Sequence, residues 1–297
     1  VAGLYEVVTY SFTHPRMFNR MNLPQDSPLR NVVTIQNPLS EEHSIMRTMM
    51  LPGLLEILAR NYNRRVQNGA VFEIGRIFYP RGKESLPEER PVLAAAAMGS
   101  APGSWNIAHR EMDFYFLKGI LEGLFCRIAT EPVTFRAETA NPSFHPGRCA
   151  SLEVGGISMG ILGELHPDVL EHYELPEKAV AFEIDLTKLL AVSGKPVMYS
   201  SLPKFPGIER DIAIVVKQDT PAAEIIAAIR SAGGDLLNSV SLFDIYRGEQ
   251  VSKEHQSMAF SLKFQAVDRT LTDAEADDRT KRISLELARR FGAELRS

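Results

Sequence analysis

Over the first two hundred residues, short runs of alternating apolar and polar positions are separated by a few stretches whose apolar residues recur at helical spacing. The runs EVVTYSF, NVVTIQN, AVFEIGRIF, RPVLAAAAMG, PVTFRAE, RCASLEV, ISMGILGEL and AVAFEIDL carry many β-branched residues and read as strands. Two segments read as helices. One is LLEILARNYNRR, after a break at Pro52-Gly53; the other is DFYFLKGILEGLFCRI, where Leu117, Ile120, Leu121, Leu124 and Ile128 form a stripe and Asp113 caps the start. Many strands with few, unevenly placed helices indicate a large antiparallel sheet and not a doubly wound parallel one.

In AVSGKPVMYSSLPKFPG, Ser, Gly and Pro interrupt the pattern, so one domain is expected over residues 1–200 and a second over 201–297. The second reads as βαββαβ. Its first strand is RDIAIVV, followed by the helix TPAAEIIAAIRSAGG with Thr220 as N-cap and Pro221 at the first helical position. The middle strands are LLNSVSLFDIY and QSMAFSLKFQ. The helix TDAEADDRTKRISLELARRFG opens with a capping box of Thr272 and Glu275 and buries Ala276, Ile283, Leu287 and Phe291. A short closing strand falls near AELR. The fold class expected of the whole chain is α+β.

Alternation also sorts the faces of this second sheet. Met258, Phe260, Leu262 and Phe264 share one side, which the two helices cover, and Ser257, Ala259, Ser261 and Lys263 share an open one. In VSLFDIYRGEQ, Phe243 and Ile245 are expected in the core, with Asp244 and Tyr246 pointing the other way. Val240 and Leu242 are in phase with Asp244, which calls for a change of register by a bulge. A charged acceptor beside an amphipathic ring suits a flat polar object such as a nucleobase, and it equally suits an ordinary solvated strand end.

Composition narrows the function classes. At 297 residues, 44% hydrophobic and 24% charged, the chain resembles ordinary soluble proteins, and no apolar run reaches membrane-spanning length. A cytoplasmic location and no membrane role are therefore expected. The start VAGLYEVVTYSF, without Met or a secretory leader, favours a piece cut from a larger protein. Cys126 and Cys149 are too few and too far apart for a disulfide framework or a zinc site, and the seven scattered histidines give no metal centre. A net charge of -4 argues against a general polyanion binder, and residues 201–297 carry 14 Lys/Arg against 15 Asp/Glu. By itself this domain is expected to bind any polyanion weakly.

Phosphate-cradling loops, nucleophile elbows and HExxH motifs are absent from the sequence, so no residue is assigned as catalytic. The adjacent carboxylates Glu41 and Glu42, Glu88 and Glu89, and Asp277 and Asp278 diverge on any regular element and read as solvated groups. His145 and His166 precede prolines, in turns where their rings cap backbone groups. Trp105, in a Gly/Pro/Ser-rich loop, reads as a packing anchor.

The series NPLSEEHSIMRTMMLPGLLEILARN, VFEIGRIF, FHPGRCASLEVGGISMGILGELHP, LPKFPGIERDIAIVV, LFDIYRG and SMAFSLKFQAVDRTLTDAEADDR occurs in that order over essentially the whole chain. It resembles the C-terminal part of the β subunit of bacterial phenylalanyl-tRNA synthetases. The resemblance implies a catalytic-like class II synthetase module that has lost its active site, followed by a ferredoxin-fold anticodon-binding domain. In agreement, FEIGRIF keeps Glu73 but lacks the usual FRxE arrangement, and Arg76 alone does not supply that chemistry.

By the same resemblance the whole enzyme joins phenylalanine to its tRNA using ATP and magnesium, while this part binds no cofactor or metal. The implied partners are the catalytic α subunit, in an α2β2 heterotetramer, and phenylalanine tRNA. Met49, Met50, Leu51 and Leu55 are candidates for contact with the α subunit, or for the module's own core. Asp244, Tyr246 and Ser257 match positions that line the anticodon surface. Arg210 and Arg269 are candidate phosphate contacts, each beside a carboxylate, Asp211 or Asp268, that can pair with it locally. The alternative is a ferredoxin-like amino-acid sensor fused to a self-sufficient amino-acid-activating domain; FDIYRG and RTLTDAE, together and in order, favour the anticodon reading.

Overall fold

Four consecutive alanines, Ala94 to Ala97, are fully buried on a strand with an apolar cluster on each side of it, which is why this strand reads as a continuous apolar run and not as an alternation. The computed structural model describes residues 2–38, 40–82, 85–106, 108–176, 178–194, 198–199, 201–248 and 251–296. The chain divides into two units, Val1–Val197 and Met198–Ser297. Ser200, where the sequence pattern divides the domains, lies outside the described residues.

The first unit opens with β1 (Tyr5–Glu6), β2 (Phe12–Thr13), α1 (Arg16–Arg20), β3 (Ile45–Met46) and α2 (Leu51–Asn63). It continues with β4 (Gly69–Tyr79), β5 (Glu88–Met98), the small hairpin β6 (Ser100–Ala101) and β7 (Arg110–Glu111), and α3 (Phe114–Ile128). It closes with β8 (Thr134–Ala137), β9 (Phe144–Val154), β10 (Ile157–Leu165), α4 (Pro167–His172), β11 (Ala179–Asp185) and α5 (Leu186–Ala191). Seven strands make one sheet in the order β1-β4-β5-β11-β10-β9-β8, antiparallel except where β1 joins β4. Leu51, Leu54, Leu55 and Leu58 of α2 pack on one face with residues of α1 and α4, and Leu117, Leu121 and Phe125 of α3 with Leu189 of α5 pack on the other.

Several local expectations change. EVVTYSF yields only the two-residue strands β1 and β2, because Thr9 between them is held by the Glu73 carboxylate, to which both its N–H and its hydroxyl donate. NVVTIQN contributes a single bridge, Thr34 to Ile45. Pro52-Gly53 does not interrupt α2: the proline sits in the first turn, where its missing N–H has no intrahelical partner to lose. Met49, Met50, Leu51 and Leu55 are all buried in the unit's own core, so they present no surface to a partner subunit.

No side chain of Met50 caps α2; the sheet supplies the cap. Glu183 of β11 accepts from Met50 N–H (3.1 Å) and Leu51 N–H (3.4 Å), satisfying two of the donors that every helix start leaves open. Burial pushes this carboxyl up from its ordinary 4.5 to about 7, against the two backbone bonds and the nearby Arg47 charge. Arg47 itself is buried beside Glu73 at 3.1 Å and also donates to Thr9 Oγ1 (2.7 Å) and Arg76 O (2.8 Å).

The second unit is β12 (Ile208–Lys217), α6 (Ala222–Gly233), β13 (Leu237–Tyr246), β14 (His255–Phe264), α7 (Asp273–Phe291) and β15 (Glu294–Leu295). Its antiparallel sheet has the order β13-β14-β12-β15, a ferredoxin-like arrangement with both helices on one face. α7 opens with the expected capping box of Thr272 and Glu275 and closes at Gly292, whose φ of 61° belongs to the left-handed region. Thr220 does not cap α6. Pro221 is extended (φ -67°, ψ 131°) and takes the N-cap position itself, so the helix starts one residue later.

Two outcomes follow from the polar groups beneath α2. Arg47→Met leaves Glu73 buried without its charge partner and lowers stability by about 3–5 kcal/mol, read from the urea midpoint of the first unit's transition. Glu183 keeps its proton where the unfolded chain has lost it, so its contribution to stability falls as pH rises from 4.5 through about 7. The stability of Glu183→Gln relative to the parent chain therefore rises across that window in urea melts; a difference independent of pH would assign the titration elsewhere.

Candidate nucleic-acid interface

The face of the second sheet opposite its helices is set by register. Leu242 stands opposite Phe260 and Asp244 opposite Ala259, so Phe243 is an extra residue that shifts the alternation of β13. Before the bulge, Val240 and Leu242 face the helices with Leu262 and Phe260. After it, Asp244 and Tyr246 fall on the open side. Phe243 and Ile245 do not enter the core: they are 58% and 45% exposed, because β13 is an edge strand and the bulged residue has no partner across the ladder.

Reading across the strands, the open face is a stack of rows. Tyr246, Ser257, Val215 and Glu294 form the first, and Asp244, Ala259 and Ala213 the second. Arg296 extends the second row, its N–H donating to Ala213 O at 2.8 Å. Ser241, Ser261 and Asp211 form the third, and Ser239, Lys263 and Glu209 the fourth. The two alanines leave a shallow floor between the first and third rows.

Tyr246 and Asp244 thus come together on this face, Asp244 exposed and Tyr246 half-buried. Ser257 joins their row but is only 4% exposed, so its hydroxyl is not presented to solvent. Gly248 leaves room for the Tyr246 ring: a Cβ there would sit 2.5 Å from the Tyr246 hydroxyl oxygen. The Arg296 guanidinium stands 4.9 Å from the ring centroid, a cation–π contact that reaches across the face from the far strand. Arg296 was not among the residues expected here. Its signal is the alternation of AELR, which puts Glu294 and Arg296 on one side once β15 is in register with β12.

The two candidate phosphate contacts are engaged elsewhere. Arg210 is in phase with Ile212 and Ile214, on the helix side of β12, and pairs with Asp273 (2.6 Å) and Asp277 (2.9 Å) of α7, not with Asp211. Arg269 makes a two-pronged contact with Glu275 (2.7 and 3.0 Å), not with Asp268. Together with the bonds from Thr272, Arg269 holds the Glu275 carboxyl down at about 2. Both arginines therefore secure the start of α7. What remains on the open face is Glu209, Asp211, Asp244 and Glu294 against Lys217, Lys263 and Arg296, which makes no basic track for phosphates and leaves acceptors for groups with N–H donors.

In the first unit, a concavity of about 650 Å³ is bordered by Thr9, Tyr10, Arg16, Arg47, Glu56 and Arg60. Arg47, its one buried arginine, is already committed to Glu73. Trp105 is no packing anchor: it stands 97% exposed in the loop between β6 and β7. His145 and His166 do cap backbone groups, accepting from Gly147 N–H and Asp168 N–H at 3.0 and 3.2 Å. Among the described residues no group of three His, Cys, Asp or Glu is placed to hold a metal, and no helix is long and apolar enough to cross a membrane.

Comparison with known proteins agrees with this geometry. Residues 1–186 match the family model described as phenylalanyl tRNA synthetase beta chain CLM domain, and residues 203–296 match the ferredoxin-fold anticodon binding domain. The chain is 49% identical over 295 residues to the phenylalanine–tRNA ligase beta subunit of Moorella thermoacetica, covering 99% of this chain and 37% of the relative. It is 43% identical to that of Symbiobacterium thermophilum (100% and 33%) and 39% identical to that of Clostridium tetani (99% and 36%). The chain thus spans about a third of the length of the curated relatives it matches. With one family model covering well over half of it and the second covering the sheet just described, the chain belongs to the phenylalanine–tRNA ligase β-subunit family.

Proposed function

We propose that this chain is the part of a phenylalanine–tRNA ligase β subunit that scaffolds the catalytic α subunit and inspects the anticodon of phenylalanine tRNA. The observation that carries the reading is the bulge in β13, which sets Asp244 beside Tyr246 on the open face of a unit matching the anticodon-binding model. Tyr246 stacks on an unpaired base, a contact worth roughly 1–3 kcal/mol. Asp244 accepts from a base N–H edge. Ser257, buried beside Tyr246 on the next strand, keeps the row low, and Arg296 reaches the ring from the far strand.

The first unit is read as a class II synthetase-like module without catalytic function. The reading is supported by apolar clusters on both faces of its sheet and by the internal pairing of Glu73 with Arg47. The whole enzyme, an α2β2 heterotetramer of the cytoplasm, joins phenylalanine to its tRNA with ATP and magnesium supplied to the α subunit's active site. Contact with that subunit falls to exposed residues of the first unit, since Met49, Met50, Leu51 and Leu55 are buried. The sensor alternative is not favoured, because the second unit matches an anticodon-binding model.

Two measurements test this. In the assembled synthetase, Tyr246→Ala weakens binding of phenylalanine tRNA by about ten-fold, and an anticodon change that removes the stacked base weakens it no further in the variant. Unchanged binding by a folded variant would make this strand an ordinary solvated one. The chain alone gives no phenylalanine-dependent exchange of pyrophosphate into ATP; measurable exchange would return the first unit to the active synthetases.

A further inference from the structure

The open face does not end at Asp244. Beyond the alanine floor, Ser241, Ser261 and Asp211 stand side by side on β13, β14 and β12. Asp211 and Ser241 are exposed and Ser261 is half-buried. Asp211 has no hydrogen-bond or ion-pair partner among the described residues, although its chain neighbour Arg210, on the opposite side of the strand, has two. On β14 the row of Ser257 and the row of Ser261 are four residues apart, roughly 13 Å along the strand. One nucleobase does not bridge that distance.

The chemistry of this row is specific. A carboxylate accepts only, and two hydroxyls accept or donate, so the row suits the edge of a base that offers an amino group. It does not suit a phosphate: Asp211 repels one, and in the next row Lys263 stands beside Glu209, so no net positive charge is offered there. The low row of Ala213 and Ala259 lies between it and Tyr246, and from the far strand the Arg296 side chain reaches across the face to that ring.

We infer that Asp211, with Ser241 and Ser261, forms a second base-reading subsite, which takes the amino-bearing edge of a neighbouring anticodon nucleotide while Tyr246 holds another. This rests on the anticodon reading of the same face and extends it from one base to two. Specificity at this subsite comes from an unpaired acceptor: an amino-bearing base satisfies Asp211, and a base offering a carbonyl in the same place leaves two acceptors opposed.

The test uses the assembled synthetase with phenylalanine tRNA and with tRNAs altered at each anticodon position in turn. Asp211→Asn, which keeps the shape and one acceptor oxygen but removes the charge, weakens binding about five-fold, as expected when a hydrogen bond to a charged group becomes a neutral one. That loss disappears on the tRNA altered at one anticodon position, and this position differs from the one coupled to Tyr246. Ser241→Ala, at an exposed edge position, gives the same pattern with a smaller loss.

If Tyr246→Ala weakens binding while Asp211→Asn and Ser241→Ala, with unchanged unfolding midpoints, do not, the second subsite is refuted and the first stands. Coupling of Asp211 to the same position as Tyr246, or to none, refutes it equally. If none of the three variants weakens binding, the anticodon reading of the face fails, and this inference with it.

Discussion

Because side chains alternate along a strand, the extra residue between Leu242 and Asp244 decides what the second unit presents to its surroundings. Without Phe243 in the bulge, a β13 that keeps Val240 and Leu242 against the helices would send Asp244 and Tyr246 into the same apolar layer, where an unpaired carboxylate is costly. With it, the core contacts opposite Leu262 and Phe260 are retained, and the last turn of the alternation is handed to the open face. The small residues at Ala213 and Ala259, the buried Ser257 and the reach of Arg296 from β15 all take their meaning from that one shift.

The first unit treats its charges in the opposite way. Glu73, Ala94 and Glu183 lie in one row across β4, β5 and β11, under the start of α2. Two carboxylates in one sheet row, Glu73 buried and Glu183 half-buried, are the kind of group a catalytic site employs, yet here each is bound into the structure. Glu73 is saturated by Arg47 and Thr9, and Glu183 closes the N-terminus of α2. Bonds from backbone N–H groups, a hydroxyl and a fixed guanidinium tie both carboxylates to the framework, which is consistent with a module retained for shape.

Much of this was legible where the signal is local. The capping box of Thr272 and Glu275 lies within four residues and forms as the sequence implies, and the period-two pattern of β14 gave both faces of the second sheet. The helices α1, α4 and α5 span only five or six residues, too short for a periodic stripe to rise above the strands around them. Met49 and Met50 look like an adaptable surface in one dimension and are core in three, because α2 begins right after them and drives them under it. Arg210 and Arg269 find their partners on α7 and not at the next residue: on β12 Arg210 and Asp211 point to opposite faces, and in the loop before α7 Arg269 turns to Glu275 of the capping box. Arg296 required the register of a two-residue strand, which no pattern of that length encodes.

β13 borders the second sheet with no strand paired along its outer side among the described residues, and it carries two exposed apolar side chains, Phe243 and Ile245. A straight edge of that composition is a template on which another chain can add a strand, and so a route to aggregation. The bulge interrupts the regular spacing of N–H and C=O groups along that edge and increases its twist, so an incoming strand finds its ladder broken midway. The residue that turns Asp244 and Tyr246 outward thus also breaks the edge on which a second copy of the domain would pair.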